Sequence, residues 1–227
     1  MAKIGWIGLG QMGTPMVENL LKASIDVTVY NRSFDKTLPL VEKGAKNTKN
    51  VEEIFEQNDI IFFMISNYSA ALEVLNENVL SKIKGKKIVN MSTISPTESK
   101  AVGKLVIENN GKYIEAPVSG SVGAATAGVL LILVGGNEAD TKDLYSIFDI
   151  LGSKTYYFGE LGKATGAKLV LNSLLGIFGE AYSEVLLLAQ NFGIDTETIV
   201  NAISDSRMSS PLFQEKKDML TNREYPA

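Results

Sequence analysis

Cysteine and histidine are both absent from this chain of 227 residues. Without them there is no material for a Ser–His–Asp triad, a thiol nucleophile, a disulfide or an ordinary zinc site. Proton transfer must then fall to Lys, Tyr, Asp, Glu or water. The lack of cysteine also gives no sign of an oxidising compartment, so the cytoplasm is the expected location. A basic excess is missing as well. The formal charge is −4, which argues against a nucleic-acid partner because nothing is left over to neutralise phosphates. Read along the sequence, no apolar run approaches a bilayer span, so no membrane partner is expected. The first strand begins almost at Met1, and no signal peptide is expected. Repeats, low-complexity tracts and flexible linkers are not found.

What is present begins at once. The apolar run Lys3–Ile7 leads into Gly8-Leu9-Gly10-Gln11-Met12-Gly13, and an amphipathic segment through Leu21 follows. Strand, glycine triplet and helix in that order are what a dinucleotide site requires. Gly8 permits the tight turn, Gly10 lets the backbone approach a pyrophosphate, and Gly13 lets the helix pack on the sheet. The helix N-terminus then faces the phosphates. Pro15 sits in the first turn, where its missing N–H is not needed. A glycine-rich loop with no ligand is the alternative.

Asp26–Tyr30 reads as a second strand ending at Asn31-Arg32-Ser33. NAD-binding proteins place an Asp or Glu there, on the ribose 2′-hydroxyl. Here that carboxylate is missing, Arg32 stands beside the position, and Lys36 follows one turn later. These groups suit a 2′-phosphate, so NADP(H) is the preferred cofactor and NAD(H) a possible one. A solvated Arg32 at a strand end is the plainer account.

Asn50 with Glu53 predicts a capping box opening a short helix. Asp59–Ile65 is apolar on both alternations, as a central strand buried on both faces would be. Ser66-Asn67-Tyr68-Ser69 follows at its carboxyl end, where ligands gather in open α/β sheets, and Met64 and Ile65 are counted with the cofactor-binding residues. Lys87–Met91 is another strand, running into Ser92 and Thr93. Ser95, Pro96 and Glu98 form a helix-start signature that leaves those two hydroxyls unexplained. Tyr113 begins a short strand that breaks into the small-residue loop Pro117–Gly123, where Ser119, Gly120 and Ser121 could offer amides and hydroxyls to a small anion. Leu130–Val134, a helix from Ala139 to Leu151, and Thr155–Phe158 complete a β-α-β-α series. Such a series predicts an α/β fold with a doubly wound parallel sheet.

The pattern changes after Gly162. Ala164–Phe192 predicts one long helix with Gly193 as its C-cap. Lys168 and Asn172 share a face, continued by Gly176 and Gly179, which suggests close approach of a ligand or another helix. The rest of the helix is so apolar that other protein must bury it. Asp195 caps a short helix through Ile203, and Ser210 opens another. The expected division is residues 1–162 and residues 163–227, the second an incomplete all-α domain.

These residues resemble the β-hydroxyacid dehydrogenase family, which includes 3-hydroxyisobutyrate dehydrogenases and glyoxylate or succinic semialdehyde reductases. The matching motifs are Gly8–Gly13, Met91-Ser92-Thr93 with Ser95-Pro96, Glu115–Gly120 with Gly128, and Gly162 through Asn172 with its Lys-x-x-x-Asn. The resemblance implies a Rossmann domain, an interdomain helix carrying a catalytic lysine, and a helical second domain. It puts Lys168 and Asn172 at the catalytic positions, Ser119 and Gly120 on the substrate-carboxylate loop, and Thr93 near the nicotinamide. Ser92 and Ser121 join the substrate-binding set. Asn31-Arg32-Ser33, Ser209-Pro211-Phe213 and the closing Glu224-Tyr225-Pro226 resemble the NADPH-preferring reductases. Two departures stand out. The chain stops before the further helices such proteins have, and Ser173 stands where a second amide is common.

The activity implied is reversible reduction of a small aldehyde acid to its hydroxy acid, in a homo-oligomer, a dimer or tetramer. Alternatives are an NAD-dependent 3-hydroxyisobutyrate-type dehydrogenase and a non-catalytic nucleotide-binding or oligomerisation module. No metal is expected.

Overall fold

A computed structural model describes residues 3–222 and 224; Tyr225 and Pro226 of the closing motif lie outside them. The chain divides into two compact units, Met1–Leu171 and Asn172–Ala227.

The first unit is built on nine strands: β1 (Ile4–Ile7), β2 (Val27–Tyr30), β3 (Lys46–Asn47), β4 (Ile60–Phe63), β5 (Lys87–Asn90), β6 (Lys112–Glu115), β7 (Val118–Ser119), β8 (Leu130–Gly136) and β9 (Gly152–Tyr157). Their spatial order is β3-β2-β1-β4-β5-β6-β8-β7, with β9 paired to β8. The strands from β3 across to β6 are all parallel. This is the doubly wound part, with its switch point beside β1, between β2 and β4.

The expected all-parallel order stops at β6. Strand β8 runs antiparallel to both β6 and β7, while β9 is parallel to β8. The reason lies in the connection. A parallel return needs a crossover of a dozen or more residues, usually a helix spanning the sheet. Between β6 and β8 the only helix is the six-residue Val122–Ala127, and β7 takes up part of the rest. The chain therefore folds back on itself.

Burial follows the strand pattern. Ile60 and Phe62 of β4 belong to one apolar cluster, Ile61 and Phe63 to the other, so this strand is covered on both faces. Trp6 stacks on Phe62 at 5.4 Å between ring centroids, and on the opposite face Phe55 meets Phe63 edge-on at 6.3 Å. The helix Gly13–Lys22 buries Met16, Val17 and Leu20 against the Trp6 side.

Most helix starts behave as the sequence predicts. Ser95 and Glu98 form the full capping box of the helix Pro96–Glu108. Asn50 caps Val51–Gln57 through the amide of Glu52, but the predicted box with Glu53 is not made. Thr48 takes both roles instead: its hydroxyl donates to the Glu53 carboxylate at 2.5 Å and accepts from the Asn50 amide at 3.0 Å. The predicted helix from Ala139 to Leu151 is interrupted by a 3₁₀ turn at Lys142–Leu144.

The long helix is continuous from Lys163 to Asn191 and passes through the boundary between the units. In the second unit it is followed by Thr196–Asp205 and Pro211–Asn222. Gly193 ends it at φ +70°, the left-handed conformation that glycine adopts without a Cβ penalty. Phe213 is fully buried against Tyr182, whose hydroxyl meets the Ser210 hydroxyl at 2.8 Å. Among the described residues most of the helix is left uncovered: Val170, Leu174, Leu175, Ile177, Leu187 and Leu188 are exposed. A Cβ added at Gly176 or Gly179 would meet nothing among the described residues, so the close approach expected there is not made by them. One correction concerns length. By length and composition this helix is apolar enough to cross a membrane, although Lys168, Asn172, Glu180 and Glu184 interrupt its apolar stretches and so conceal the run in the sequence.

Candidate functional site

Strand β1 ends at Ile7, and Gly8 turns the chain at φ +102°, where a side chain would strike the Met64 backbone. Gly13 is constrained differently. A Cβ there would fall on the Gly8 carbonyl oxygen, beside the Trp6 indole N–H that donates to that same oxygen at 3.0 Å. These two glycines are therefore required by packing alone. Gly10 is not: a Cβ on it would meet no atom within 4 Å. Its bare backbone faces open space.

The helix that follows has unused donors. Its N-cap is Met12, which has no capping side chain, and no acidic residue stands in its first turn. By contrast, the helices opening at Val51, Tyr68, Glu77, Pro96, Val122 and Glu138 are each capped by an Asn or Ser side chain. Orphan N–H groups at the positive end of a ten-residue helix, beside a glycine that leaves room above it, form a cradle for a phosphate group.

A cleft of about 470 Å³ lies over this turn. It brings together Gly8, Leu9, Gly10, Gln11, Met12, Gly13, Asn31, Arg32, Ser33, Lys36, Met64 and Ile65. Sequence-distant segments meet here because β1, β2 and β4 are neighbours whose carboxyl ends open on the same side. Val51, Ala70 and Val74 add an apolar wall, and Glu73 adds a carboxylate. No local motif marks them, since they enter only through the packing of the helices after β3 and β4.

Other predicted residues have different settings. Thr93 is exposed but does not line the cleft. Ser92 is 1 % exposed, and its hydroxyl accepts the Ile65 amide at 2.9 Å. It joins the ends of β4 and β5. Ser119 pairs with Leu131 in the β7–β8 ladder and is half-buried. Gly120 turns at φ +146°. The exposed Ser121 uses its hydroxyl to cap Val122–Ala127.

In the sequence Glu115 stands out only as part of a motif. It is fully buried at the end of β6 and accepts the Gly162 amide at 2.6 Å and the Thr165 amide at 3.3 Å. A carboxylate thus sits at the start of the long helix, where orphan donors and the helix dipole both favour it. Lys168 follows one turn later, half-buried, and burial holds its amine below the usual lysine range. Asn172, four residues further along the same helix, is exposed and opens the second unit.

Comparison with known proteins agrees with this construction. Residues 3–159 match the NAD binding domain of 6-phosphogluconate dehydrogenase, and residues 162–227 match the NAD-binding domain of NADP-dependent 3-hydroxyisobutyrate dehydrogenase. Glyoxylate/succinic semialdehyde reductase 2, chloroplastic, of Arabidopsis thaliana is 34 % identical over 98 % of this chain, which spans 63 % of that protein's length. Glyoxylate/succinic semialdehyde reductase 1 of the same plant is 34 % identical over 99 % of the chain and 78 % of its own length. The fold matches that of Mycobacterium tuberculosis 3-hydroxyisobutyrate dehydrogenase with a TM-score of 0.85 at 24 % identity, over 93 % of this chain and 73 % of that one. With a glycine-turn cleft for a nicotinamide cofactor, the long helix after it, and this similarity over nearly its whole length, the chain belongs to the β-hydroxyacid dehydrogenase family.

Proposed function

We propose that the protein uses NADP(H) to reduce a small aldehyde acid, of the glyoxylate or succinic semialdehyde kind, to the hydroxy acid. The observation that carries this proposal is the cleft, where an uncapped helix N-terminus and open Gly10 lie at one end and Arg32, Ser33 and Lys36 at the other. The backbone amides of Gly10 to Gly13 would hold the pyrophosphate, and Arg32 with Lys36 would hold a 2′-phosphate. A bound nicotinamide cofactor supplies the hydride.

Lys168 is the proton donor in this proposal. Its ammonium would give a proton to the aldehyde oxygen and stabilise the negative charge that develops there. Burial makes that proton easier to release. Asn172, one turn later on the same helix, would orient the hydroxyl. The backbone at Gly120 with Ser119 and Ser121 would hold the substrate carboxylate, so that remote binding energy positions the reacting carbon. The exposed apolar residues of the long helix are assigned to a second subunit, because a helix that carries a partly buried amine and the Lys–Asn pair suits a protein interior better than lipid. The cytoplasm remains the proposed location.

An NAD-dependent 3-hydroxyisobutyrate-type dehydrogenase is favoured by one feature, the carboxylate of Glu73 within the Arg32 end of the cleft. Oxidation of NADPH and of NADH with glyoxylate, succinic semialdehyde and the 3-hydroxyisobutyrate aldehyde distinguishes the two. Turnover with NADPH and an aldehyde acid is expected. Nucleotide binding without turnover on any of them would leave a non-catalytic module.

A further inference from the structure

The end of β2 lacks the acidic residue that would recognise an unphosphorylated ribose, yet a carboxylate reaches the same place from another element. Glu73 lies on the helix Tyr68–Val74, which follows β4. Its Oε2 stands 3.6 Å from Nη1 of Arg32, and both residues line the cleft together with Ser33 and Lys36. The two side chains are 87 % and 65 % exposed. A pair so open to water adds little to stability and exchanges partners readily. Its position rather than its strength gives it meaning.

We propose that Glu73 is a specificity-determining residue that competes with a 2′-phosphate for Arg32 and so restrains the preference for NADP(H) over NAD(H). The proposal rests on this cleft being the nicotinamide-cofactor site. A phosphate can take Arg32 only after the ion pair opens, and the freed carboxylate then remains beside a group carrying nearly two negative charges. Like charges at that distance repel, and the two cations Arg32 and Lys36 must outweigh the repulsion. A cofactor with a free 2′-hydroxyl meets no such opposition, and Glu73 can accept its hydrogen bond. The selectivity of the cleft is thus a balance of opposing charges brought from separate elements. If Glu73 instead served to orient Arg32 for phosphate, its removal would have the opposite effect.

Titration of the whole chain with NADPH and with NADH, followed by nicotinamide fluorescence, reads binding without requiring turnover. Glu73→Gln should tighten NADPH by about threefold to tenfold while changing NADH by less than about twofold, and Glu73→Lys should go further in the same direction. The gain should shrink at high salt, where exposed charges are screened, whereas a packing effect would not respond. Unchanged or weaker NADPH binding in Glu73→Gln, with NADH binding intact, would overturn the role given to Glu73 alone. Failure of the unmodified chain to bind either nucleotide would overturn the cofactor site and this inference with it.

Discussion

The side-chain oxygen of Asn31 accepts the backbone N–H of Leu9 at 2.9 Å, tying the end of β2 to the glycine turn after β1. Its amide nitrogen donates to the Ser33 carbonyl at 3.0 Å. One residue thereby shapes both ends of the cleft.

Asn31→Ala should loosen the turn by leaving a nearly buried amide unpaired, at a cost of about 1–3 kcal/mol. Affinity for NADPH and NADH should fall together. Asn31→Asp keeps the acceptor but adds a negative charge where a 2′-phosphate would lie, so NADPH should weaken by about tenfold more than NADH. Fluorescence titration of both variants with both nucleotides checks this. Equal losses in Asn31→Asp would show that no 2′-phosphate reaches this position.

The glycines of the turn should separate binding from folding. Gly10→Ala places a methyl group in open space, so its melting temperature should match that of the unmodified chain while nucleotide affinity falls about tenfold or more. Gly13→Ala drives a methyl group into the Gly8 carbonyl and should lower stability by about 2 kcal/mol or more, as overpacking against backbone does. Thermal melts with and without NADPH distinguish the two effects.

Glu115 should matter for the start of the long helix. Glu115→Ala leaves the Gly162 and Thr165 amides without their acceptor and opens a void, for a loss of about 2–4 kcal/mol in urea denaturation. Glu115→Gln preserves an acceptor and most of the volume, so it should lose less. Any drop in turnover that follows Glu115→Gln without a change in nucleotide affinity would report displacement of the helix that carries Lys168.

Lys168 gives a pH dependence with a definite sign. In the proposed reaction aldehyde reduction needs its ammonium form, so kcat should hold at lower pH and fall as pH rises through the amine's pKa, which burial has moved below the usual lysine range. Oxidation of the hydroxy acid should rise through the same transition. Because the unfolded chain keeps this proton to higher pH than the folded one, the group's contribution to stability improves as pH rises between the two values. Lys168→Met should therefore melt no lower than the unmodified chain, while turnover drops by about 10²–10⁴-fold with NADPH affinity retained. Persistent turnover would remove Lys168 from the chemistry.

Much of the cleft is local in origin and could be read in advance. The order of strand, glycine turn and helix specifies its own geometry: a positive φ at Gly8 and backbone contact at Gly13 are short-range demands. The caps at Asn50, Ser95 and Asp195 are equally local, since a side chain reaches amides two or three residues ahead. Where a third group intervened, as Thr48 did between Asn50 and Glu53, local pattern was insufficient.

Apolar periodicity and turn chemistry act over a few residues, and by themselves they determined strands β1, β2, β4, β5 and β6, the long helix and the residues of the glycine turn, but not the two-residue β3. Only tertiary structure decided the reversal at β8, the burial of Ser92, the anchoring of the long helix by Glu115 and the arrival of Glu73 beside Arg32. Each of these depends on which elements become neighbours, and neighbourhood is set by how connections cross the sheet and which faces pack, not by any spacing along the chain.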